Sequence, residues 1–455
     1  GQGVEIRVRG PFAGRDRRAA TRAEGGGAGD ELSAHTFRLS GSWTSVPRGE
    51  LRILAALVVV VFIPLYALTA NWTVLQTHDA RSAALAGWTV ASTGSLALNP
   101  GWPPDHISWA AEGRDGRLYS NRFPGVVAAA TTAYLVPVAT GVVPNSAAVS
   151  HPFELPVWPA TAMAVAIASA AVFCTFVFLR GSGFSVRIAA ISTAVVAFGS
   201  PVWSVSADAL WTHGLTHLSI MCALIGLRSE RPLLAGASFG VAALTRPHLI
   251  VVPLVLACFR LERWQRVAGV IGGMVGLGFS ALYSSILFGR VIPSGGYNVE
   301  QLTGGAPIRS LSGLATNIWD WISDPLHGIA IFVPLGLLAV VGVPLVWRRV
   351  DLLTRTAAAA GLGYAASQLG LIRASGGDIV FGHRTTIEMF VLCLPLIVVS
   401  LWELSRRSAI GRVVVGAAMA YSVAIHGYVA WIDLHPSVSN ALAVTYDRAM
   451  AEHRQ

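Results

Sequence analysis

Apolar runs recur along the chain at the length of a membrane span. They lie at residues 51–70 (LRILAALVVVVFIPLYALTA) and at about 158–180, 187–204, 211–228, 266–288, 326–347, 352–371, 386–404 and 411–431. Two shorter runs, 232–245 and 248–261, meet at Thr245-Arg246-Pro247. A helix needs about 17–25 predominantly apolar residues to cross a bilayer, so the pattern predicts an all-α polytopic membrane protein of about eleven transmembrane helices. The main interruption is a long polar stretch from 71 to 157 after the first run. It contains one softer apolar run, 124–143, broken by Pro124, Pro137 and Gly141.

The flanks carry no periodic apolar pattern. Residues 1–50 are rich in Gly, Arg and Ala, which predicts a disordered, basic, cytoplasmic N-terminus. No n-region, short apolar core and cleavage site of a signal peptide is seen there. Residues 51–432 make up the membrane domain, with 71–157 as its first outer loop, and 433–455 form a tail outside.

Composition supports this division. The chain of 455 residues is 53% hydrophobic and 13% charged, about half the charged fraction of ordinary soluble domains. All its basic side chains besides His are Arg, giving a formal net charge of +9. An Ala/Gly/Arg-rich chain without Lys is what a GC-rich genome encodes, which suggests an actinobacterial source. The Arg residues sit mainly in short junctions between apolar runs, as the positive-inside rule expects of cytoplasmic loops. That placement speaks against a nucleic-acid partner. Cys174, Cys222, Cys258 and Cys393 all lie inside apolar runs without metal-type spacing and are expected to pack as small apolar residues.

The same count fixes which side each junction faces. Arg180/Arg187, Arg228/Arg231, Arg260/Arg263/Arg266, Arg348/Arg349/Arg355 and Arg406/Arg407/Arg412 fall on one side, and most of the acids, among them Asp79, Asp105, Asp115, Asp208, Glu300 and Asp378, on the other. The separation holds only if 124–143 does not cross, so this run is expected as a re-entrant or membrane-surface helix within the outer loop. The N-terminus is then cytoplasmic and the C-terminus outside, in a multi-pass protein of the plasma membrane. No internal repeat of the kind found in many transporters is visible.

Several polar residues converge on the outer face, where charges are costly unless they pair or line a cavity. Asp79, in QTHDARSAALAG, could deprotonate a hydroxyl or serve as a helix cap. Arg117 and Arg122, in DGRLYSNRFPG, could hold phosphate or sugar or belong to a solvated turn. His213 and His217, in WTHGLTH, share a helix face at i and i+4 and could donate to a phosphate, hold a divalent metal or simply pack. No third metal ligand stands near them, so a metal is not favoured. Arg246, between the two short runs, and His383 and Arg384, before the 386–404 run, could bind an anionic group or snorkel to the interface.

These motifs resemble the GT-C superfamily of integral membrane glycosyltransferases, and most closely its protein O-mannosyltransferase and aminoarabinose transferase families. The resemblance covers roughly residues 50–430. It rests on the acid soon after the first span, the DG-x-x-YS-x-x-x-PG stretch at 115–125 followed by an apolar helix, the WTHGLTH junction, the L-T-R-P between short helices and the late G-H-R. It departs from the family in having a lone Asp79 where an Asp-Glu pair is usual, and the given chain has no soluble domain after its last run. The resemblance implies a polyprenyl-phosphate-linked sugar as donor, Asp79 as catalytic base, and Arg246, His383 and Arg384 neutralising the donor phosphate. Transfer would be one-step and inverting, without cofactor, to a glycan, lipid or protein acceptor. Other classes consistent with the residues are a transporter or flippase of a lipid-linked or small polar substrate, and a non-catalytic GT-C-like membrane protein.

Overall fold

The computed structural model describes residues 43, 45–73, 78–102, 110–259, 261–296, 311–371, 383–384 and 386–433. Residues 1–42, 434–455 and the acids Asp105, Glu300 and Asp378 lie outside the described residues. In chain order the elements are α1 (Arg48–Thr69), α2 (His78–Thr93), β1 (Ala110–Glu112), β2 (Leu118–Ser120), α3 (Pro124–Ala139), α4 (Trp158–Gly181), α5 (Val186–Phe198), α6 (Thr212–Arg228), α7 (Pro232–Thr245) and α8 (Val251–Cys258). There follow α9 (Arg263–Phe288), α10 (Leu311–Ser323), α11 (Pro334–Val346), α12 (Leu352–Leu371), α13 (Ile387–Arg407) and α14 (Ala409–Asp433).

Helix α1 shows how the apolar pattern is used. Leu54, Val58, Phe62 and Tyr66 are buried, whereas Val60 and Leu68 are 70% and 76% exposed. Four-residue spacing places the buried set on one helix face, and an apolar opposite face is what lipid contact requires. The Tyr66 hydroxyl donates to the Ala197 carbonyl at 2.8 Å, and Phe62 and Tyr66 pack against the Phe198 ring. Pro64 would clash with the carbonyl four residues earlier in a regular helix. The wider π turn at Val58–Phe62 accommodates it.

Five helices are long and apolar enough to cross a membrane: α1, α4, α9, α13 and α14. The other predicted spans are helical but shorter or more polar. Helices α5, α7 and α11 have 13, 14 and 13 residues, and α6 carries His213 and His217. The run 326–347 is divided, with the turn Ile329–Phe332 giving way to a new helix at Pro334, because proline lacks the N–H that would continue the ladder. By length and composition, five of the eleven expected spans are helices long enough to cross among the described residues. Helix α3, from the run 124–143, has 16 residues, about 24 Å at 1.5 Å per residue, against a hydrocarbon core of about 30 Å.

The helices run up and down between two ends. At one, Arg180 makes a two-pronged pair with Glu50, Arg228 pairs with Asp351 at 2.8 Å, and Glu403 takes Arg349 and Arg407 at 3.2 and 3.1 Å. These are the arginine-rich junctions of the sequence. At the other end sits a lobe made of α2, α3 and the β1–β2 hairpin, in which Ala110, Ala111 and Glu112 face Ser120, Tyr119 and Leu118. Stacked Trp88 and Trp102 form its centre, and their indole N–H groups donate to Pro144 and Val149 carbonyls. Asn71 ties the lobe to the bundle, its N–H donating to the Asp208 carboxylate at 3.1 Å and its carbonyl accepting from Thr161 at 2.9 Å.

Helices α7 and α9 meet backbone to backbone. A Cβ built on Gly272 would strike the Gly236 carbonyl oxygen, and one on Gly276 the Gly240 carbonyl oxygen. Each helix thus sets two glycines one turn apart against the other, the small-residue packing used between helices in lipid. Gly272→Leu is expected to lower the unfolding midpoint in detergent, at an overpacking cost of about 1–3 kcal/mol. Gly278→Leu, which faces open space, should leave the midpoint unchanged; equal effects at both positions would refute the close crossing.

Asp208 yields a pH test. It lies between Val202–Ser206 and α6, outside the helices, and burial pushes its carboxyl up to about 7 even though the Asn71 N–H pulls it down. Unfolded, it titrates near 3.9. Between those values the folded state holds the extra proton, so this contribution is full below about pH 4 and is lost as pH rises through about 7. Asp208→Asn keeps an acceptor for Asn71 and should therefore raise the thermal midpoint relative to wild type at pH 8 and change it little at pH 4. A gain independent of pH would contradict this assignment.

Candidate functional site

Strand β2 delivers the first part of the site. It ends at Ser120, and the next two residues turn inward, leaving Arg122 only 3% exposed. The guanidinium donates through Nε to Asn121 Oδ1 at 2.9 Å and pairs through Nη1 with Asp79 Oδ1 at 2.7 Å. The Ser82 and Ser120 hydroxyls lie 2.7 Å apart and lock α2 to β2 beside the pair. Asp79 stands in the first turn of α2, where the helix dipole favours a carboxylate. Its side chain is half-buried, at 39% exposure. Burial pulls its pKa up, but Arg122 and Arg384, with a smaller effect from His213, overcome that and hold it below the usual carboxylate range. Asp79 is therefore an ionised, reachable carboxylate at neutral pH.

Directly beneath lies a buried polar network. Glu388, with no exposed surface, is its hub. Its Oε1 accepts from Arg246 Nη1 at 2.8 Å and from the Thr216 hydroxyl at 2.8 Å, and lies 2.9 Å from His213 Nδ1. Its Oε2 accepts from the Tyr364 hydroxyl at 3.0 Å. Arg246 also approaches His213 Nδ1 at 2.7 Å, donates through Nε to His248 at 3.0 Å and reaches Gln368 at 3.5 Å, while His248 stacks on Tyr364. Helices α6, α12 and α13 and the α7–α8 junction all converge here.

The expected residues separate into four settings. Asp79, Arg122, His213 and Arg384 form one electrostatic group, with Arg384 set 5.0 Å over the Trp211 ring. Arg246 joins this group from below through His213. His383 is buried and engaged by the His327 carbonyl at 2.8 Å and the Thr386 hydroxyl at 2.9 Å. Arg117 sits apart on the hairpin turn, exposed and 3.4 Å from Asp115.

His217 points elsewhere from His213. It is buried in the wall of a groove of about 540 Å³ that runs along α5, α11, α13 and α14. Neither ring nitrogen of His217 has a hydrogen-bond partner among the described residues. Branched and aromatic side chains, among them Ile191, Val195, Phe390 and Val398, line most of the groove. No group of three or more His, Cys, Asp or Glu suited to a metal occurs among the described residues.

Sequence reasoning missed Glu388, Tyr364 and Gln368. A signal existed for the first: a lone acid inside an apolar run is expensive and marks a site unless it is neutralised.

No family model and no curated protein matches the chain. Among solved structures it is similar to the archaeal oligosaccharyltransferase AglB from Archaeoglobus fulgidus, solved with an inhibitory peptide and a dolichol-phosphate, at 13% identity and a TM-score of 0.46 over 86% of this chain. The chain spans 56% of the length of that structure.

Proposed function

We propose that the protein is a membrane glycosyltransferase that moves a sugar from a polyprenyl-phosphate donor to a hydroxyl of a glycan, lipid or protein acceptor. The reaction takes place on the outer face of the plasma membrane, where the lobe lies, and the arginine-rich end of the bundle faces the cytoplasm. The observation that carries this proposal is the ionised, half-buried Asp79 held between Arg122 and the field of Arg384 and His213.

The chemistry follows from that arrangement. The acceptor oxygen forms a bond to the anomeric carbon of the donor while the bond from that carbon to the phosphate oxygen breaks. Asp79 takes the hydroxyl proton as general base, and the electron pair leaves with the lipid phosphate. Arg384 and His213 stabilise the departing charge. Arg246 acts on the phosphate through its field, since its N–H groups are engaged by Glu388, His248 and Gln368. The apolar groove beside His217 suits the lipid chain of the donor. Phosphate is an adequate leaving group, so the displacement requires no metal or cofactor.

The test is a transfer assay with labelled polyprenyl-phosphate arabinose and mannose on purified protein. Asp79→Asn should lower transfer about 10²–10⁴-fold, the usual contribution of a general base, in protein that still unfolds cooperatively at a midpoint reduced by loss of the Arg122 pair. Because Asp79 is held below the usual carboxylate range, wild-type activity should stay flat through neutral pH and fall only on acidification. Full transfer by folded Asp79→Asn would sink the assignment, and movement of label across vesicles without a new glycosidic bond would point to a flippase.

A further inference from the structure

The lobe contains a second cavity, of about 490 Å³, bounded by the end of α2, the segment 95–99, the hairpin turn and the turn at Ser146–Ala147. That volume falls in the range of roughly 300–1,000 Å³ typical of small-molecule sites. We propose that this cavity is a carbohydrate-binding subsite that grips an acceptor glycan away from the reacting end. Its role as an acceptor subsite rests on the transferase proposal; its affinity for carbohydrate does not.

The lining has two characters that match a sugar. One side is built of hydroxyl and amide groups: Thr89, Thr93, Ser95, Asn99 and Ser146, with Arg117 as the cation and no carboxylate among the lining residues. Thr93 gives its proton to the Thr89 carbonyl at 2.8 Å, so it faces a ligand as an acceptor, while Thr89 is buried behind it and bonded to the Leu85 carbonyl at 2.9 Å. Asn99 is fixed by donating to the Ser146 and Val149 carbonyls and accepting from Gly101 N–H. The Ser146 hydroxyl has no exposed surface and no hydrogen-bond partner among the described residues. The other side is apolar, made by Leu98, Leu118 and Trp102, with Trp102 held rigid by its stack on Trp88. Hydroxyl edges against polar groups and C–H faces against apolar ones are the two surfaces a sugar ring presents.

Position supplies the link to the reaction. Helix α2 carries Asp79 in its first turn and Thr89 and Thr93 in its last two. The cavity therefore stands about 15–21 Å from Asp79 along the helix, at 1.5 Å per residue. The β1–β2 hairpin spans the same interval, with Arg117 at the cavity and Arg122 on Asp79. A glycan held at the cavity and running along the lobe would present its end to Asp79. This gives Arg117 a partner that the Asp79 site does not.

The experiment applies detergent-solubilised full-length protein to an immobilised array of linear arabino- and manno-oligosaccharides, with a peptide array beside it. Wild type and Asp79→Asn should be retained equally by oligosaccharides. Ser95→Trp, which fills the cavity, and Arg117→Ala, an exposed change that keeps the fold, should each weaken retention about tenfold. In the transfer assay the same variants should raise KM for a long acceptor and leave kcat in place. Unchanged retention by both variants, no oligosaccharide retained by wild type, or retention on peptides alone would each overturn the subsite. If wild type transfers no sugar while Ser95→Trp loses carbohydrate, the transferase assignment fails and the binding site stands.

Discussion

A carboxylate with no access to water has to be neutralised where it stands, because burying an unpaired charge costs far more than a folded protein can offset elsewhere. Glu388 imposes that requirement here. Arg246, His213, Thr216 and Tyr364 all turn toward it, and they come from two helices and one junction. The break between α7 and α8 follows from the same need. Pro247 ends the hydrogen-bond ladder of α7, which leaves Arg246 in extended backbone with its side chain free to reach inward. A continuous helix would not place that guanidinium over Glu388 and His248 together.

The face that carries Asp79 is built on top of this hub. His213 touches Glu388 and Arg246 and also acts on Asp79. Arg384 stands just before α13, the helix that holds Glu388, and is steadied over Trp211, the residue before α6. Placement of His213 and Arg384 beside Asp79 therefore depends in part on helices fixed by the hub. Arg122 is the exception: it arrives from the lobe and is locked by α2 and β2. The site joins two separately built halves, and the Asn71–Asp208 and Asn71–Thr161 bonds hold them in register.

Strong apolar runs made most of the helices legible in the sequence, since a lipid-facing stripe such as Ile53, Val60 and Leu68 has no other use. Helix lengths were less legible. Pro334 divides the run 326–347, and Pro201 precedes a π turn that detaches Val202–Ser206 from α5; average hydropathy does not register either break. Among site residues, Asp79, Arg122, His213 and Arg384 stood out as polar groups at the edges of apolar runs. Their mutual contacts did not, because each pairing joins distant segments. Arg117 and Arg122 occupy one short motif yet serve different places, since the chain turns inward after Ser120. Glu388, in IEMFVLCLP, was legible only as a lone acid in an apolar run, a signal that average hydropathy passes over.

Whether Glu388 and Arg246 act as one unit is decided most directly by a double-mutant cycle on stability in detergent. Glu388→Gln and Arg246→Gln should each cost about 3–5 kcal/mol, because either leaves a buried charge uncompensated. The double variant should cost less than the two together by about 0.5–3 kcal/mol, the range of coupling between contacting residues. Additive losses, or single variants as stable as wild type, would contradict the account that this buried pair organises the bundle beneath Asp79.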